Sequence, residues 1–439
     1  MKKVLIITYY WPPSGGAGVQ RWLKFAKYLR VYGWEPVIYT PSNPGYSVFD
    51  DTLAKDIPSD IEIIKRPIWE PYEVYKKFTG KKIVPKTSSA IIKDKKSPGV
   101  FELFSVWIRG NLFIPDARKF WINPSVRFLN KYLKEHHVDA IVSTGPPHSM
   151  HLIALQLKSH FNIPWLADFR DPWTDIDYYK EMKISAWADQ KHKQLEMKTI
   201  TSCNALVVVS REMKDNYEKM GGKNVHLITN GFDPEDMGDY PGKLDTKFSI
   251  SHVGTLPPGF NLTGLWQVLA DLSESLPGFR DNLEIKLIGN VDDAIINDIS
   301  EFKLIKYLTL PGYVSHEQAA RLMKQSAVLL LVINNNSPNA KGILTGKFFE
   351  YLASGRPILA LGPTEGDLSK ILEESEAGSI AKYNDIERIK SIVVDFYERY
   401  INNDLINNDK FIEKYTRRSL TNELAKVLNK IISNFVNSI

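Results

Sequence analysis

The sequence predicts an α/β protein built from two doubly wound parallel-sheet domains, and three observations carry that prediction. Short, almost wholly apolar segments alternate with amphipathic helical ones, the pattern of parallel sheets covered on both faces. The alternation stops and then restarts close to residue 247, so the chain runs through it twice. At 439 residues the chain also exceeds what one ordinary core accommodates. The expected organisation is a first domain at 1–235, a linker at 236–246, a second domain at 247–395, and closing helices at 396–439 that return to the first domain.

The elements follow in order. "KVLIITYY" reads as the first strand, and Val19, Trp22, Leu23, Ala26 and Leu29 then line one helical face at three-and-four spacing. Gly33 closes that helix and "WEPVIYT" is a second strand. "DAIVSTG", "IPWLADF", "NALVVVS" and "HLITN" are further strands, with "SVRFLNKYLKEHH", "SMHLIALQLKSHF" and "SREMKDNYEKM" as the helices among them. "TNGFDPEDMGDYPGKLDTKF" has the Pro, Gly and Asp content of a linker. The second round supplies strands "FSISHVGTL", "LEIKLIG", "YLTLPGYV", "SAVLLLVI" and "PILALG". Its helices are "LTGLWQVLADLSESL", "SHEQAARLMKQ" with a capping serine, and "GKFFEYLAS". In the last helix, Leu420, Leu424, Leu428, Ile431 and Phe435 form an apolar stripe that needs a host, and the first domain is the expected one.

Composition narrows the classes. A net charge of +5 is too small to imply a nucleic-acid partner. The single cysteine, Cys203, excludes an intrachain disulfide and a cysteine-rich metal site, which fits a reducing compartment. Prolines and glycines follow the first apolar segment where a leader's cleavage site would stand, and no apolar run approaches bilayer length. The expected location is cytoplasmic. Between Lys76 and Lys96, however, eight lysines face one acid, Asp94, and the aromatic-rich "FELFSVWIRGNLFIPDARKFWI" follows. The segment 76–122 is either a solvated loop with a core helix or a basic, aromatic flank for anionic lipid head groups.

Two stretches suggest phosphate chemistry. In "PPSGGAGVQR", Gly16 and Gly18 open the first helix, but Arg21 stands where a dinucleotide fingerprint has its third glycine, and no Gly-Lys-Ser/Thr follows. What remains is a glycine turn presenting amides at a helix start, suited to an anion or to a close-lying ligand. In "KGILTGKFFEYLASGRPILALGPTEGD", Lys347 lies at a helix start, where a cation opposes the helix dipole unless an anion is bound. Glu350, one turn on, is placed to accept from both hydroxyls of a ribose, or to pair weakly with Lys347 on the surface.

In the first domain, "STGPPHSMH" and "ADFRDPW" both follow strands and so should reach a ligand at the carboxyl ends of the sheet. His148 begins a helix, either bonding a substrate hydroxyl or standing as a partly exposed loop residue. Asp168, Arg170 and Asp171 make a dense charged group that is either a structural Asp–Arg pair or a site where Arg170 meets an anionic acceptor. His151, His252 and His316 read as capping or core-edge residues, and no cluster has metal-ligand spacing.

Taken in order, "PPSGGAGVQR", "VVVSREM", "TNGFD", "VGTL", "GYVSHEQ" and "FFEYLASGRPILA" resemble the GT-B fold glycosyltransferases, specifically glycosyltransferase family 4, over nearly the whole chain. The resemblance implies two Rossmann-like domains facing a cleft and transfer of a sugar, with retention, from a nucleotide diphosphate sugar. It implies a donor held by the second domain, an acceptor held by the first, and no metal or cofactor. It further implies a glycan or lipid-linked saccharide acceptor, bacterial surface polysaccharide synthesis, and possible peripheral contact with the membrane. Glu350 matches the ribose-gripping glutamate, and Gly16 and Gly18 match the loop near the donor phosphates or sugar. Gly254, Thr255, Tyr313, Thr345, Gly346 and Lys347 complete the donor set, and His148, Asp168, Arg170 and Asp171 are the catalytic candidates. The chain departs from the family pattern at Gly342, where a glutamate is usual, and at Thr255 and Asn261, where the diphosphate cations are usual. Lys347 is the expected substitute cation, with Arg356 a second, and a diphosphate leaving group requires such donors because charge builds on it. A non-catalytic nucleotide-sugar-binding homologue and a nucleotide-sugar epimerase are the alternative readings.

Overall fold

The computed structural model describes residues 1–46, 48–71, 100–238, 243–257, 259–260, 262–334, 339–405 and 411–437. The chain divides into two compact units, Met1–Thr229 with Arg417–Ile439, and Asn230–Thr416. The second unit therefore begins before the expected linker, because Phe232 and Met237 are already buried in its core. Its end lies later than residue 396, because the Ile386–Ile401 helix buries Ile389, Ile392, Val393 and Phe396 in that same unit.

The first unit holds a seven-stranded sheet of β1 (Lys2–Ile7), β2 (Trp34–Pro41), β3 (Glu62–Arg66), β4 (Ala140–Gly145), β5 (Trp165–Phe169), β6 (Ala205–Val208) and β7 (Val225–Leu227), ordered β3-β2-β1-β4-β5-β6-β7. Every pairing is parallel. Strands buried on both faces need apolar residues at successive positions, and β1 and β4 supply them. The order reverses between β1 and β4, and a ligand of a doubly wound sheet binds beyond the strand ends at that point. The turns leaving it are the glycine loop before the Ala17–Leu29 helix and the Gly145–Pro147 turn before the Ser149–Phe161 helix.

The terminal Arg417–Val436 helix packs on the Ala17–Leu29 helix. Its stripe of Leu420, Leu424, Leu428 and Ile431 meets Trp22, Leu23, Ala26 and Leu29 in one buried cluster. Leu424 is fully buried there, so Leu424→Ala is expected to lower stability by about 3 kcal/mol, read from urea unfolding. A loss below about 1 kcal/mol would show the helix to be an accessory rather than part of the core.

The second unit holds a six-stranded sheet of β8 (Phe248–Val253), β9 (Leu283–Ile288), β10 (Leu308–Gly312), β11 (Val328–Val332), β12 (Ile358–Leu361) and β13 (Gly378–Ala381), ordered β10-β9-β8-β11-β12-β13 and again wholly parallel. Here the reversal lies between β8 and β11. The His316–Gln325 helix starts with a complete capping box between Ser315 and Gln318. The Gly346–Ala353 helix starts at Thr345, whose side chain accepts from the Phe348 amide. No helix among the described residues is long and apolar enough to cross a membrane. The lysine run 76–96 and the expected position of Asn261 lie outside the described residues.

Candidate active site

In the second unit the structure gathers most of the expected donor set at the reversal point. β8 ends at Val253, and Gly254 follows with φ +121. A side chain there would put its Cβ 2.7 Å from Lys347 Nζ, so the close approach of the lysine requires glycine. Lys347 comes from the first turn of the Gly346–Ala353 helix and reaches back over the end of β8. By helix geometry the amides of Gly346 and Lys347 have no intrahelical acceptor. A Cβ at Gly346 would meet nothing within 4 Å, so the space before this helix start is open.

The Lys347 ammonium meets His252 Nε2 at 3.1 Å. His252 Nδ1 lies 3.0 Å from the Leu330 carbonyl oxygen, so Nδ1 carries the hydrogen and Nε2 offers a bare lone pair. Burial pushes His252 down to about 3, and the neighbouring Lys347 charge adds to the shift. Burial likewise pulls Lys347 down to about 8, opposed by the Glu350 carboxylate. A half-buried cation thus has a neutral hydrogen-bond partner.

Glu350 is half-exposed one turn along, and its Oε1 lies 3.7 Å from His316 Nε2. Thr255 is exposed, and Tyr313, just beyond β10, is 91% exposed. Gly342 ends the short 3-10 turn Ala340–Gly342. Arg356 is no part of this group. It is 6% exposed and donates through Nη2 to the Ala327 carbonyl at 3.3 Å, so the expectation that it backs up Lys347 at the diphosphate is corrected.

In the first unit the catalytic candidates separate into different roles. Asp168 is fully buried and saturated: it accepts from Arg21 Nη2 at 2.9 Å, Trp22 Nε1 at 2.7 Å and Thr144 Oγ1 at 2.9 Å. Arg21 completes its own donors with the Ile228 and Thr229 carbonyls. Asp168 is therefore a structural residue under the glycine loop, a correction to its expected catalytic place, and its partner is Arg21 rather than Arg170.

Arg170 is a clamp. Its Nη1 donates to the Gly18 carbonyl at 2.6 Å, its Nε to Gly145 at 3.3 Å, and its Nη2 to Pro146. A Cβ on Gly18 would lie 3.2 Å from Arg170 Nη1 and from the Tyr10 ring, so this glycine lets the guanidinium in. Gly16 is exposed with φ +83 and precedes the helix start. Asp171 is exposed.

His148 is buried, with its ring stacked 4.4 Å over Trp173 at 5° and its Nδ1 unpaired among the described residues. Burial holds it neutral, well below the usual histidine range. It is thus an acceptor or single donor, never a cation near pH 7. His151 is a core residue, hydrogen-bonded to Ser143 Oγ at 2.8 Å and pushed down to about 3 by burial.

Residues 96–236 match the family model described as Glycosyltransferase Family 4. That stretch, about a third of the chain, is what is similar to the family, and the two parallel-sheet units have the fold of solved glycosyltransferase structures. Among solved structures, the chain is similar to TarM at 13% identity and TM-score 0.62, over 98% of this chain and 99% of that one. It is similar to Anabaena HepE in complex with UDP-glucose at 12% identity and TM-score 0.56, over 100% of each chain. It is also similar to the lipopolysaccharide outer core galactosyltransferase WaaB at 14% identity and TM-score 0.56, over 99% of each chain. At these identities the likeness is one of fold. A search of curated protein sequences returns no match.

Two residues of the site went unread in the sequence. His252 and His316 both passed for core-edge or capping residues, yet one holds Lys347 and the other faces Glu350.

Proposed function

We propose that this protein is a glycosyltransferase that moves a sugar, with retention, from a nucleoside diphosphate sugar to a hydroxyl of a glycan or lipid-linked saccharide, in bacterial surface polysaccharide synthesis. The observation that carries this reading is the half-buried Lys347 ammonium at an open helix start, paired to a neutral imidazole beside a half-exposed Glu350. A diphosphate would supply the missing negative charge, and the amides of Gly346 and Lys347 would donate to it as well. Glu350 would take the ribose hydroxyls. The UDP-glucose in the HepE structure agrees with such a donor on this fold.

In the reaction, the bond from the anomeric carbon to the phosphate oxygen breaks and one to the acceptor oxygen forms on the same face. The acceptor's proton passes to the departing diphosphate. No side chain need act as nucleophile, so the protein positions the reactants and stabilises the leaving group. Neither metal nor cofactor enters this scheme. In the first unit, the neutral His148 is the residue suited to an acceptor hydroxyl. For a lipid-linked acceptor, the exposed Trp69, Trp107, Leu112 and Phe120, with the Lys119 ammonium 5.5 Å from the Phe120 ring, offer an aromatic and basic face to an anionic membrane.

Thr255 and Gly342, which lack the charge usual at those positions, favour a second reading as a donor-binding protein without turnover. A thermal-shift screen with UDP, GDP, ADP, CMP and their sugar conjugates tests the first step, since a ligand of the native state raises the midpoint. One nucleoside diphosphate is expected to stabilise wild type and not Glu350→Ala. Binding without turnover across an acceptor panel would favour the second reading, a new sugar isomer formed without acceptor would identify an epimerase, and no shift with any nucleotide would remove the donor site.

A further inference from the structure

We infer that His252 is the positioning residue of the donor site: its bare Nε2 holds the Lys347 ammonium over Gly254, where it meets the donor diphosphate. The inference rests on the reading of Lys347 as the diphosphate cation and adds a residue that acts through it.

The geometry makes the assignment. His252 lies on β8, whose inward side chains are otherwise core, and it is 2% exposed. A histidine serving packing alone would be satisfied by its bond to Leu330 on the neighbouring strand. Instead its second nitrogen is turned to the one cation that enters this site from the Gly346–Ala353 helix. Gly254, two residues on, is cut back to let the ammonium pass. A lysine stem has four rotatable bonds, and fixing them costs entropy unless a partner holds the head. A carboxylate would hold it better but would cancel its charge. A neutral imidazole fixes the direction and leaves both the charge and the remaining N–H donors to a ligand.

Groups that bear on the pair are few. Glu350 lies one helical turn from Lys347 and favours the charged amine, His316 lies 3.7 Å from Glu350, the Thr255 backbone beside His252 favours the charged imidazole, and the Tyr351 hydroxyl is occupied by the Val253 amide. The amine held this way sits close to its titration point, at about 8. A bound diphosphate raises that point, so binding takes up a proton above it and weakens as pH rises.

The test uses the full-length protein and isothermal titration with UDP, GDP and ADP, each beside its own nucleoside, between pH 6.5 and 9.5. His252→Asn keeps a donor at the Nδ1 position for Leu330 but ends short of Lys347. It is expected to weaken the preferred nucleoside diphosphate about tenfold at pH 7, to leave the nucleoside unchanged, and to move the alkaline midpoint away from that of wild type. His252→Gln, whose Oε1 reaches the Nε2 position, is expected to restore affinity to within about threefold. Wild-type affinity and midpoint in His252→Asn, with Lys347→Ala still losing the diphosphate, would overturn the role of His252 alone. No loss in Lys347→Ala, or no diphosphate bound by wild type, would overturn the reading of the site and this inference with it. Equal losses for nucleoside and diphosphate in both His252 variants would mark the residue as structural and end the proposal.

Discussion

Asp168→Ala is expected to destabilise the first unit by about 3 to 5 kcal/mol, a fall in Tm on the order of 10 °C. The carboxylate is fully buried and accepts from Arg21, Trp22 and Thr144. Its removal strands the Arg21 guanidinium, itself fully buried, with no anion beside it, leaving the carbonyls of Ile228 and Thr229 and the Phe25 ring 4.9 Å away. Uncompensated buried charge is what makes the loss large, so relieving it should return part of the stability. The double variant Asp168→Ala with Arg21→Met should lose clearly less than the sum of the single variants. Urea denaturation of the four proteins checks this. An unchanged midpoint in Asp168→Ala, with activity gone, would restore a catalytic role to this residue.

Lys347→Ala should separate the two halves of the donor. The nucleoside is expected to bind as in wild type, while the nucleoside diphosphate loses about ten- to a hundredfold, the range of one charged hydrogen bond. The pH profile gives the sign. Lys347 in the empty site titrates at about 8, and an anion raises that value, so wild-type affinity should fall by up to about tenfold per pH unit above 8. The variant should be flat over the same range. Stability of the empty protein runs the other way, because the unfolded chain keeps its proton up to the ordinary lysine value of 10.5. Stability should therefore rise with pH between about 8 and 10.5 as the strained charge is released. Titration calorimetry and urea melts at matched pH read the two trends. A variant that loses nucleoside and diphosphate equally would show that Lys347 does not meet phosphate.

The fold was legible where its periodicities are strong. β11 is a pure apolar run, β1 and β4 carry apolar residues at three or more successive positions, and the Ser149–Phe161 helix falls on the segment read for it. Of the elements that escaped, two show why. β3 is an edge strand with no fully buried position, so its five residues carry no apolar run. The Ala186–Ser202 helix buries His192, Glu196 and Thr199, a polar inner face that hides the helical period. Glu196 there is held by Thr174 and Tyr217 hydroxyls, and burial raises its pKa. In the site, local motifs led to Lys347 and Glu350, since both sit on one short helix. What stayed hidden were pairs brought together by the sheet: Arg21 with Asp168 across 147 positions, and Lys347 with His252 across 95. A charged residue next to an apolar strand looks the same in sequence whether it faces a ligand or a distant partner.

The Arg170 clamp has a consequence for how this protein can diverge. All its acceptors are main-chain carbonyls, of Gly18, Gly145 and Pro146. Every amino acid carries a carbonyl, so beyond Gly18, whose missing Cβ admits the guanidinium, the clamp reads the path of the chain more than its letters. Residues around both turns can drift, and with them the surface they present, while the two turns stay tied. The arginine has no such freedom: a lysine head has no planar fork to span three carbonyls at once. One fixed side chain therefore leaves the positions flanking Gly18 and Pro146 free to vary without loosening the tie between the two turns.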